Sequence, residues 1–362
     1  MSILEITDFI GVIIIYQGLQ FSFLLLQKKT RKFHFNVILA LLFISLSFNF
    51  LNMLLLNSNI ISINFGPFFG LCYGPLFLLY ASGLIYRDKK VNRTAFFHFI
   101  PALIILFAVP FLNELLFNPI FGIAITFTIT SHIALYLFLS HRKVRWYQRS
   151  LKNIASHVVD ANLSWLKFLI YSIAVVFTIV LIESLVSRNE IADSITIISI
   201  YVFVLFFFNR IYSKGQKQPK IFLGIADQDV DLSKDIDSKY ASSKLTELDA
   251  LGYMERLKNH MLDEKPFLQF ELTLDELANQ TNIPNRYLSQ MLNERLGRNF
   301  FDFVNGHRIG MAKNKLSDPA LDLRVNEIMY TCGFNSKSTF NSVFKKSEGM
   351  TPSAYRKMHQ KN

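Results

Sequence analysis

The sequence predicts an all-α protein, in which a bundle of seven membrane-spanning helices is followed by a helical cytoplasmic domain. Two observations lead to this fold class. Seven long apolar runs fill the first part of the chain, and one short helical pattern occurs twice in the polar part that follows. The composition agrees, because 51% of the 362 residues are hydrophobic and the mean hydropathy is +0.29, which is high for a soluble protein.

Each apolar run is close in length to the ~20 residues that a helix needs to cross the hydrocarbon core of a bilayer. Glu5 and Asp8 precede the first run, where a secretory signal peptide would have basic residues, so we interpret this run as a retained span. The seven runs cover residues 9–27, 35–56, 66–86, 96–113, 118–140, 166–187 and 194–212.

Lysine and arginine are concentrated in alternate loops, and cytoplasmic loops are the ones that retain basic residues. The loops that alternate with these basic loops contain a single basic residue, Arg188. We therefore expect a multi-pass protein of the inner (cytoplasmic) membrane with its N-terminus outside and its C-terminal domain in the cytoplasm. The basic residues that follow runs one, three, five and seven are Lys28, Lys29, Arg31, Lys32, Arg87, Lys89, Lys90, Arg93, Arg142, Lys143, Arg145, Arg149, Lys152, Arg210, Lys214, Lys217 and Lys220.

The polarity of the chain changes after the seventh run. We expect a transmembrane sensor-like domain at residues 1–213, an acidic linker at 214–243 and a C-terminal domain at 244–362. Several aspartates lie in the linker, but the central glycine and terminal glutamate of a calcium-binding loop are absent. We interpret the linker as a solvated tether.

Several classes of function find no support in the sequence. Cys72 and Cys332 are too few for a disulfide framework or a cysteine zinc site within one chain. The sequence has no phosphate-binding glycine loop, kinase signature, nucleophile elbow or HExxH metal motif. We therefore expect no enzymatic activity, no cofactor and no bound metal.

The C-terminal domain begins with an amphipathic pattern, which predicts a helix from Leu245 to about residue 263. Thr273 with Glu276 three residues later is the pattern of a capping box and predicts the start of a second helix. The apolar face of the first helix is expected to contain Leu245, Leu248, Leu251, Met254, Leu257 and Met261.

A helix-turn-helix unit needs a small residue where its helices touch, a residue that tolerates positive φ in the turn and an apolar anchor. Ala278, Asn282 and Leu288 have the required spacing. The same spacing recurs at Met329, Gly333 and Thr339, with Phe340 as the expected anchor, and residues 300–316 predict a helix between the two units. Two matches separated by a helix are a stronger signal than one.

The stretches LTLDELANQTNIPNRYLSQMLNERLGRNFFDFVNGHRIGMAKNKL and VNEIMYTCGFNSKSTFNSVFKKSEGMTPSAYRK resemble the DNA-binding domain of AraC/XylS-type transcription regulators. The resemblance covers residues 254–358. It implies a seven-helix domain with two helix-turn-helix units, each placing one helix in the major groove of double-stranded DNA. Met329 occupies a position where this family usually has alanine, so we expect altered packing of the second unit's helices.

The polar residues on the exposed faces of the two recognition helices are candidates for reading base edges, because Asn, Gln and Arg have suitable donors and acceptors. These helices are expected at Asn285–Leu296 and Ser336–Ser347. The candidates are Asn285, Arg286, Ser289, Gln290, Asn293, Lys337, Ser338, Asn341 and Ser342.

A second group of cations is assigned to phosphate, where positive charge binds DNA without reading sequence. For each lysine, a solvated helix face is the alternative, and Arg308 has the further alternative of pairing within the central helix. These residues are Arg308, Lys313, Lys345, Lys346 and Arg356.

Inside the apolar runs, four polar residues are candidates for a signal site, because exposure of such groups to lipid is costly. They are Asn49, Asn52, His132 and Glu183. Glu183 could bind a cationic ligand or relay a proton, or it could be held by hydrogen bonds between helices.

Together these features predict a membrane-anchored, sequence-specific transcription regulator that perceives an unknown ligand or signal through its membrane domain. Its expected partners are double-stranded DNA, the lipid bilayer and a second copy of the chain. The alternative is a transporter or membrane enzyme whose helical tail is a protein-interaction module.

Overall fold

The computed structural model confirms the all-α prediction, since the described part of the chain is 85% helical and contains no strands. The described residues fall into two compact units, Met1–Trp146 with Leu163–Asp227 and Tyr147–Asn162 with Gln228–Asn362. The acidic linker, apart from residues 214–217, lies outside the described residues. The structure describes residues 3–27, 34–85, 93–116, 118–156, 163–185, 190–217 and 246–360.

The helices of the first part of the chain follow the apolar runs. Six of the described helices are long and apolar enough to cross a membrane, and the apolar stretch of the seventh, Thr196–Asn209, is shorter. A short 3₁₀ turn at Arg93–Phe99 precedes the fourth. The seven helices are α1 (Ile3–Leu26), α2 (His34–Asn57), α3 (Gly66–Ile85), α4 (Ile100–Leu116), α5 (Pro119–Ile154), α6 (Ser164–Leu185) and α7 (Glu190–Lys217).

Close helix packing in the first unit depends on small residues and aromatic rings. Gly74 on α3 lies against Tyr136 on α5, where a Cβ atom would lie 2.8 Å from the ring. Such close approach between apolar helices is achieved with small residues, because lipid provides no hydrophobic driving force between spans. Phe43 on α2 packs edge-on against Phe208 on α7, with ring centroids 5.0 Å apart.

The C-terminal domain has seven α-helices in its described residues, as the resemblance implied. A 3₁₀ turn at Pro266–Leu268 follows the first of them, and a π-helical turn at Met291–Arg295 extends the third. The helices are α8 (Glu247–Asp263), α9 (Leu274–Thr281), α10 (Asn285–Gln290), α11 (Phe300–Ser317), α12 (Val325–Thr331), α13 (Lys337–Glu348) and α14 (Pro352–His359).

The predicted turn and cap residues have the expected backbone geometry. Thr273 and Glu276 form the reciprocal capping box at the start of α9. Asn282 has φ 54° and Gly333 has φ 82°, so both turns contain a left-handed residue, which these two residue types adopt at low cost. These predictions are confirmed.

The central helix α11 contributes to two separate apolar cores. Phe300, Phe303 and Val304 pack in the first core, with Ala278 and other residues of α8 to α10. Further along α11, Ile309, Ala312 and Leu316 pack in the second core. That core also contains Met329, Phe340 and the buried thiol of Cys332. The altered packing expected from Met329 stays a prediction.

The predicted apolar face of α8 is wrong in its first half. Leu248 and Leu251 are 83% and 62% exposed, whereas Ala250, Leu257 and Met261 are buried. Residues spaced by three advance about 300° around a helix, so a run of such spacings drifts away from any one face. The three buried residues of α8 are instead spaced by seven and four residues.

The longest helix, α5, has 36 residues and extends well beyond the apolar run predicted at residues 118–140. Its last turns, from Tyr147, belong to the same compact unit as the C-terminal domain. The domain boundaries inferred from the sequence treated residues 147–162 as part of the membrane domain. The described part of this stretch, residues 147–156, belongs to the compact unit that contains the two helix-turn-helix units, and the domain boundaries stay a prediction.

Candidate DNA-binding surface

The two predicted recognition helices correspond to α10 with its π-helical extension, which ends at Arg295, and to α13. Each follows a left-handed turn residue, so each is the second helix of a helix-turn-helix unit. The 18-residue helix α11 joins the two units. This arrangement is the one that the repeated spacing predicted.

Most candidate base-reading side chains of the first unit have partners within the domain. Asn285 donates a hydrogen bond to Asp275, and Gln290 donates to Glu294 at 2.9 Å. Asn293 donates to the backbone oxygen of Ser289 at 2.9 Å. Each of these amides therefore has an N–H group committed to a partner within the domain, which leaves fewer groups for a base edge.

Ser289 and Arg286 have opposite environments on the same helix. Ser289 is only 1% exposed, so its proposed contact with a base edge is wrong for this fold. It faces inward because it follows the buried anchor Leu288 and lies two residues before Met291 in the first core. Arg286 is exposed, and its guanidinium lies 4.4 Å from the centroid of the Tyr287 ring. Of the first unit's candidates, Arg286 is therefore the most accessible.

Candidates of the second unit line an open cleft of about 590 Å³. Lys337, Ser342 and Lys345 are exposed on this side of α13, and Asn341 is half-buried. Ser338 is also exposed, and its hydroxyl lies 3.0 Å from that of Ser336. The structure thus brings four predicted residues, Lys337, Asn341, Ser342 and Lys345, into one concave surface.

The opposite wall of this cleft was not predicted from the sequence. Arg324 and Asn326, at the start of α12, are exposed and line the cleft together with Thr351 and Ser353 at the start of α14. A signal was available, because helix N-termini are common contacts for DNA phosphates. The N-cap pattern at Thr351 could have identified this site.

Three lysines assigned to phosphate differ in whether their charge is already paired with a carboxylate of the domain. Lys345 is exposed and forms no ion pair among the described residues. Lys346 lies 3.0 Å from Asp302, and Lys313 lies 2.8 Å from Glu348. The hydrogen bond from Lys313 lowers the pKa of Glu348, and the same bond raises the pKa of Lys313. Both paired lysines therefore have part of their charge compensated before DNA arrives.

The phosphate assignment is wrong for Arg308, which is 1% exposed. Its Nε donates to the carbonyl oxygen of Phe267 at 2.6 Å, and its Nη2 donates to those of Gln269 and Phe270 at 2.7 and 3.2 Å. Burial lowers the pKa of Arg308 to about 10, so the guanidinium remains protonated at neutral pH. Its charge is met by internal oxygens, and it lies 5.5 Å from the centroid of Phe334 in the second core.

Arg356 also has internal partners, although it is only half-buried. It donates to the carbonyl oxygens of Leu323 and Leu321, at 2.5 and 3.4 Å, and to the side chain of Gln360 at 2.9 Å. These bonds fasten α14 to the loop before α12. Arg356 therefore positions one wall of the cleft, and a phosphate contact by this residue stays a prediction.

The four polar candidates within the spans have separate surroundings. Asn52 is 6% exposed and donates to the backbone oxygen of Ile63 at 3.4 Å, while Asn49 and Glu183 are half-buried. His132 lies against Tyr136, with ring centroids 4.8 Å apart. A role in signal perception stays a prediction for all four.

A histidine that was not predicted as a site residue also contacts Tyr136. His98, in the turn before α4, lies with its Nδ1 2.9 Å from the Tyr136 hydroxyl oxygen. The two ring nitrogens of His132 have no hydrogen-bond partner in the described part of the chain. Spacing along the sequence gave no indication of this neighbourhood, because His98 and Tyr136 belong to different helical segments.

A tandem helix-turn-helix domain of this construction defines a class of DNA-binding protein, and comparison with known proteins agrees. Residues 277–358 match the family model described as "Helix-turn-helix domain". The C-terminal domain is thus a helix-turn-helix domain of the AraC type. No solved structure gave a significant match to the chain.

Two curated proteins share this domain. "Uncharacterized HTH-type transcriptional regulator YtdP" of Bacillus subtilis (strain 168) is 36% identical over 86 residues, which cover 24% of this chain and 11% of that protein. "Uncharacterized HTH-type transcriptional regulator YijO" of Escherichia coli (strain K12) is 31% identical over 88 residues, covering 24% of this chain and 30% of the relative. The chain spans less than a third of the length of either relative.

Proposed function

We propose that this protein is a membrane-anchored transcription regulator that binds specific DNA sequences through its tandem helix-turn-helix domain. The observation that carries this proposal is the pair of helix-turn-helix units, each with a left-handed turn residue, within a region that matches a helix-turn-helix family model. The names of the two relatives support regulation of transcription as the purpose of DNA binding.

The spacing of the two units supports binding to two successive segments of the major groove. Helix α11 has 18 residues and is about 27 Å long at the rise of an α-helix. Major-groove segments on one face of a duplex recur about every 34 Å. Recognition helices at the two ends of such a spacer can therefore bind two successive major-groove segments on one face of the duplex.

Three features support anchoring of this domain at the cytoplasmic side of a membrane. Six helices have the length and composition of spans, and basic residues are concentrated in alternate loops. In addition, the end of α5, which contains Arg149 and Lys152, is part of the same compact unit as the DNA-binding domain. This grouping supports a position of the basic loop after span five and of the domain on the same side of the bilayer.

A signal perceived by the spans would alter occupancy of DNA by the domain, and a second copy of the chain is its proposed partner. The exposed Leu248 and Leu251 on α8 support self-association. Burying two neighbouring large apolar side chains in an interface between two copies would stabilise the dimer. Chemical crosslinking of the full chain in membranes, with and without DNA, tests this part. Monomers alone under both conditions would contradict it.

The test of DNA binding uses the full chain in lipid nanodiscs and a pool of genomic fragments at increasing salt. We expect the chain to retain a small set of fragments, with affinity falling steeply as salt rises. Asn341→Ala should reduce the preference among fragments and leave non-specific binding in place. Lys345→Ala should weaken binding to all fragments by a similar factor, because phosphate contacts carry no sequence information.

The control for the lysine variant is Lys258→Ala, which removes an equal charge from the exposed surface of α8. We expect it to bind DNA as the unaltered chain does. If no fragment is retained at any salt concentration, the proposal is wrong and a transporter or membrane enzyme with a protein-binding tail becomes the better explanation.

A further inference from the structure

The DNA-binding unit contains a short stretch of chain that lies far from it in sequence. Residues 151–156, here called the docking segment, include the last turn of α5 and end at Ser156. Leu151 is 6% exposed and Ser156 is 1% exposed. The docking segment is therefore part of the interior of the domain, although 90 residues lie between Ser156 and the start of α8.

Every polar group of Ser156 has a partner in the domain. Its backbone N–H and its hydroxyl both donate to the carbonyl oxygen of Leu272, at 3.2 and 2.7 Å. Its carbonyl oxygen accepts a hydrogen bond from Asn305 at 3.2 Å, and its hydroxyl oxygen accepts one from Arg308 at 3.3 Å. Complete pairing of a buried residue by specific partners is typical of a built contact rather than a chance one.

The residues that precede Ser156 extend this contact. Ala155 forms an antiparallel bridge with Thr273, the cap residue of α9. Ile154 packs against the first apolar core, and the ammonium group of Lys152 lies 5.7 Å from the centroid of the Phe301 ring. Apolar, backbone and cation–π contacts therefore all support the same docked position.

The docking segment reaches the point at which the two helix-turn-helix units meet. Asn305 and Arg308 on α11 are both 1% exposed and are joined by a 3.1 Å hydrogen bond. Arg308 also binds the backbone before the first unit and lies over Phe334 of the second. A change in the position of Ser156 therefore alters the hydrogen bonds of Asn305 and Arg308, which hold the two units together.

The other end of the same helix is a candidate membrane span. At the rise of an α-helix, the 36 residues of α5 extend for about 54 Å, whereas a hydrocarbon core is about 30 Å thick. The helix therefore continues beyond a bilayer for several turns without interruption. A continuous helix transmits rotation or displacement from one end to the other.

We propose that the docking segment couples span five to the DNA-binding domain, with Ser156 as the contact through which a movement of the span changes the relative placement of the two recognition helices. This inference rests on the proposed function and adds a route for its regulation. Undocking removes one hydrogen-bond partner from Arg308 and one from Asn305, and it removes two donors from the carbonyl oxygen of Leu272. Specific DNA affinity should then fall, because both recognition helices must be held at the groove spacing to bind together.

The test compares Ile154→Asp with Arg149→Ala, both in the full chain in nanodiscs of phosphatidylethanolamine and phosphatidylglycerol. Each variant lowers the net charge of α5 by one, but Ile154 packs on the first core and Arg149 is exposed. Hydrogen exchange at the Ser156 amide measures docking. Affinity for the genomic fragment that the unaltered chain retains at the highest salt measures the consequence.

In the unaltered chain and in Arg149→Ala, we expect the Ser156 amide to exchange as slowly as core amides of α11. In Ile154→Asp, its exchange should rise at least about tenfold, with a fall of about tenfold in affinity for the fragment and little change in non-specific binding. Rapid exchange at Ser156 in the unaltered chain would overturn the docking itself. Faster exchange with unchanged affinity would overturn the coupling, whereas absence of DNA binding by every chain would overturn the proposed function.

Discussion

The two helix-turn-helix units share a spacing but differ in how the polar side chains of their recognition helices are used. In the first unit, Asn285, Gln290 and Asn293 already donate hydrogen bonds to neighbours within the domain. In the second unit, Lys337 and Asn341 line an open cleft. A repeated sequence pattern thus predicts two similar scaffolds without predicting equal accessibility of their polar groups.

This difference suggests that the two units contribute differently to sequence preference and to charge-based DNA binding. An amide whose N–H group is already bonded within the domain is held in one orientation and has fewer groups left for a base edge. We therefore expect the second unit to contribute more to sequence preference. The first unit contributes accessible positive charge through Arg286, together with the fixed attachment of the docking segment.

The largest expected effect concerns Arg308, because both units depend on it. Arg308→Met should destabilise the domain by about 3 kcal/mol, since it leaves several buried carbonyl oxygens without their donor. Hydrogen exchange of the full chain in nanodiscs measures this change. We expect amides of α9 and α13 to lose protection together, and loss confined to one unit would show that the units are stabilised independently.

A smaller loss of stability is expected from alanine substitutions in the two helix-turn-helix turns, and its size should differ between them. A Cβ atom on Gly333 would lie 2.6 Å from the carbonyl oxygen of Phe267, whereas Asn282 already accommodates a side chain at positive φ. Gly333→Ala should therefore cost about 2–3 kcal/mol, and Asn282→Ala about 1 kcal/mol. Thermal unfolding of the two variants in the same nanodiscs measures the difference, and equal costs would contradict the close approach seen at Gly333.

The division of sequence reading can be tested with matched asparagines. Asn341→Ala should reduce discrimination between preferred and non-preferred fragments by about 1–3 kcal/mol, as expected for loss of a base contact. Asn293→Ala should have a smaller effect, because Asn293 is engaged with Ser289 in the free domain. Competition binding with both fragment classes measures the discrimination. A larger loss for Asn293→Ala would reverse the proposed division.

The smallest effect concerns the ion pair of Lys313 and Glu348 in the second unit. Because the pKa of Glu348 is lowered in the folded state, its contribution to stability is present above its ordinary value of 4.5 and is lost as pH falls through the lowered value. Glu348→Gln should remove this pH dependence at a cost of under about 1 kcal/mol at neutral pH. Unfolding measured between neutral pH and acid checks this, and an unchanged acid dependence in the variant would exclude the pair as its source.

The sequence alone predicted the features that depend on short-range patterns. Hydrophobic run length identified the apolar helices, and residue types at fixed spacing identified the turn at Asn282 and the turn at Gly333. The capping box at Thr273 was equally local. Each of these features follows from the conformational preferences of a few consecutive residues, which is why no knowledge of the tertiary structure was needed.

Features that depend on distant parts of the chain were missed or assigned wrongly. The surface-like arginine at position 308 is buried because the carbonyl groups of residues 267–270 and the hydroxyl of Ser156 converge on it. Ser289 was placed on the exposed face, although the packing of α10 turns it inward. Neither result can be derived from helical periodicity, which gives the relative positions of side chains on a helix but not the side that the core covers.

The discontinuous composition of the DNA-binding unit has a consequence for any cleavage between α7 and α8. A protease acting there would release a fragment that contains both helix-turn-helix units but has lost Ser156. Arg308 and Asn305 would keep their partners on α11 and before α9 but would each lose a bond to the missing serine. The released piece would lack a buried part of its own unit, so the complete unit needs residues from both sides of the cut.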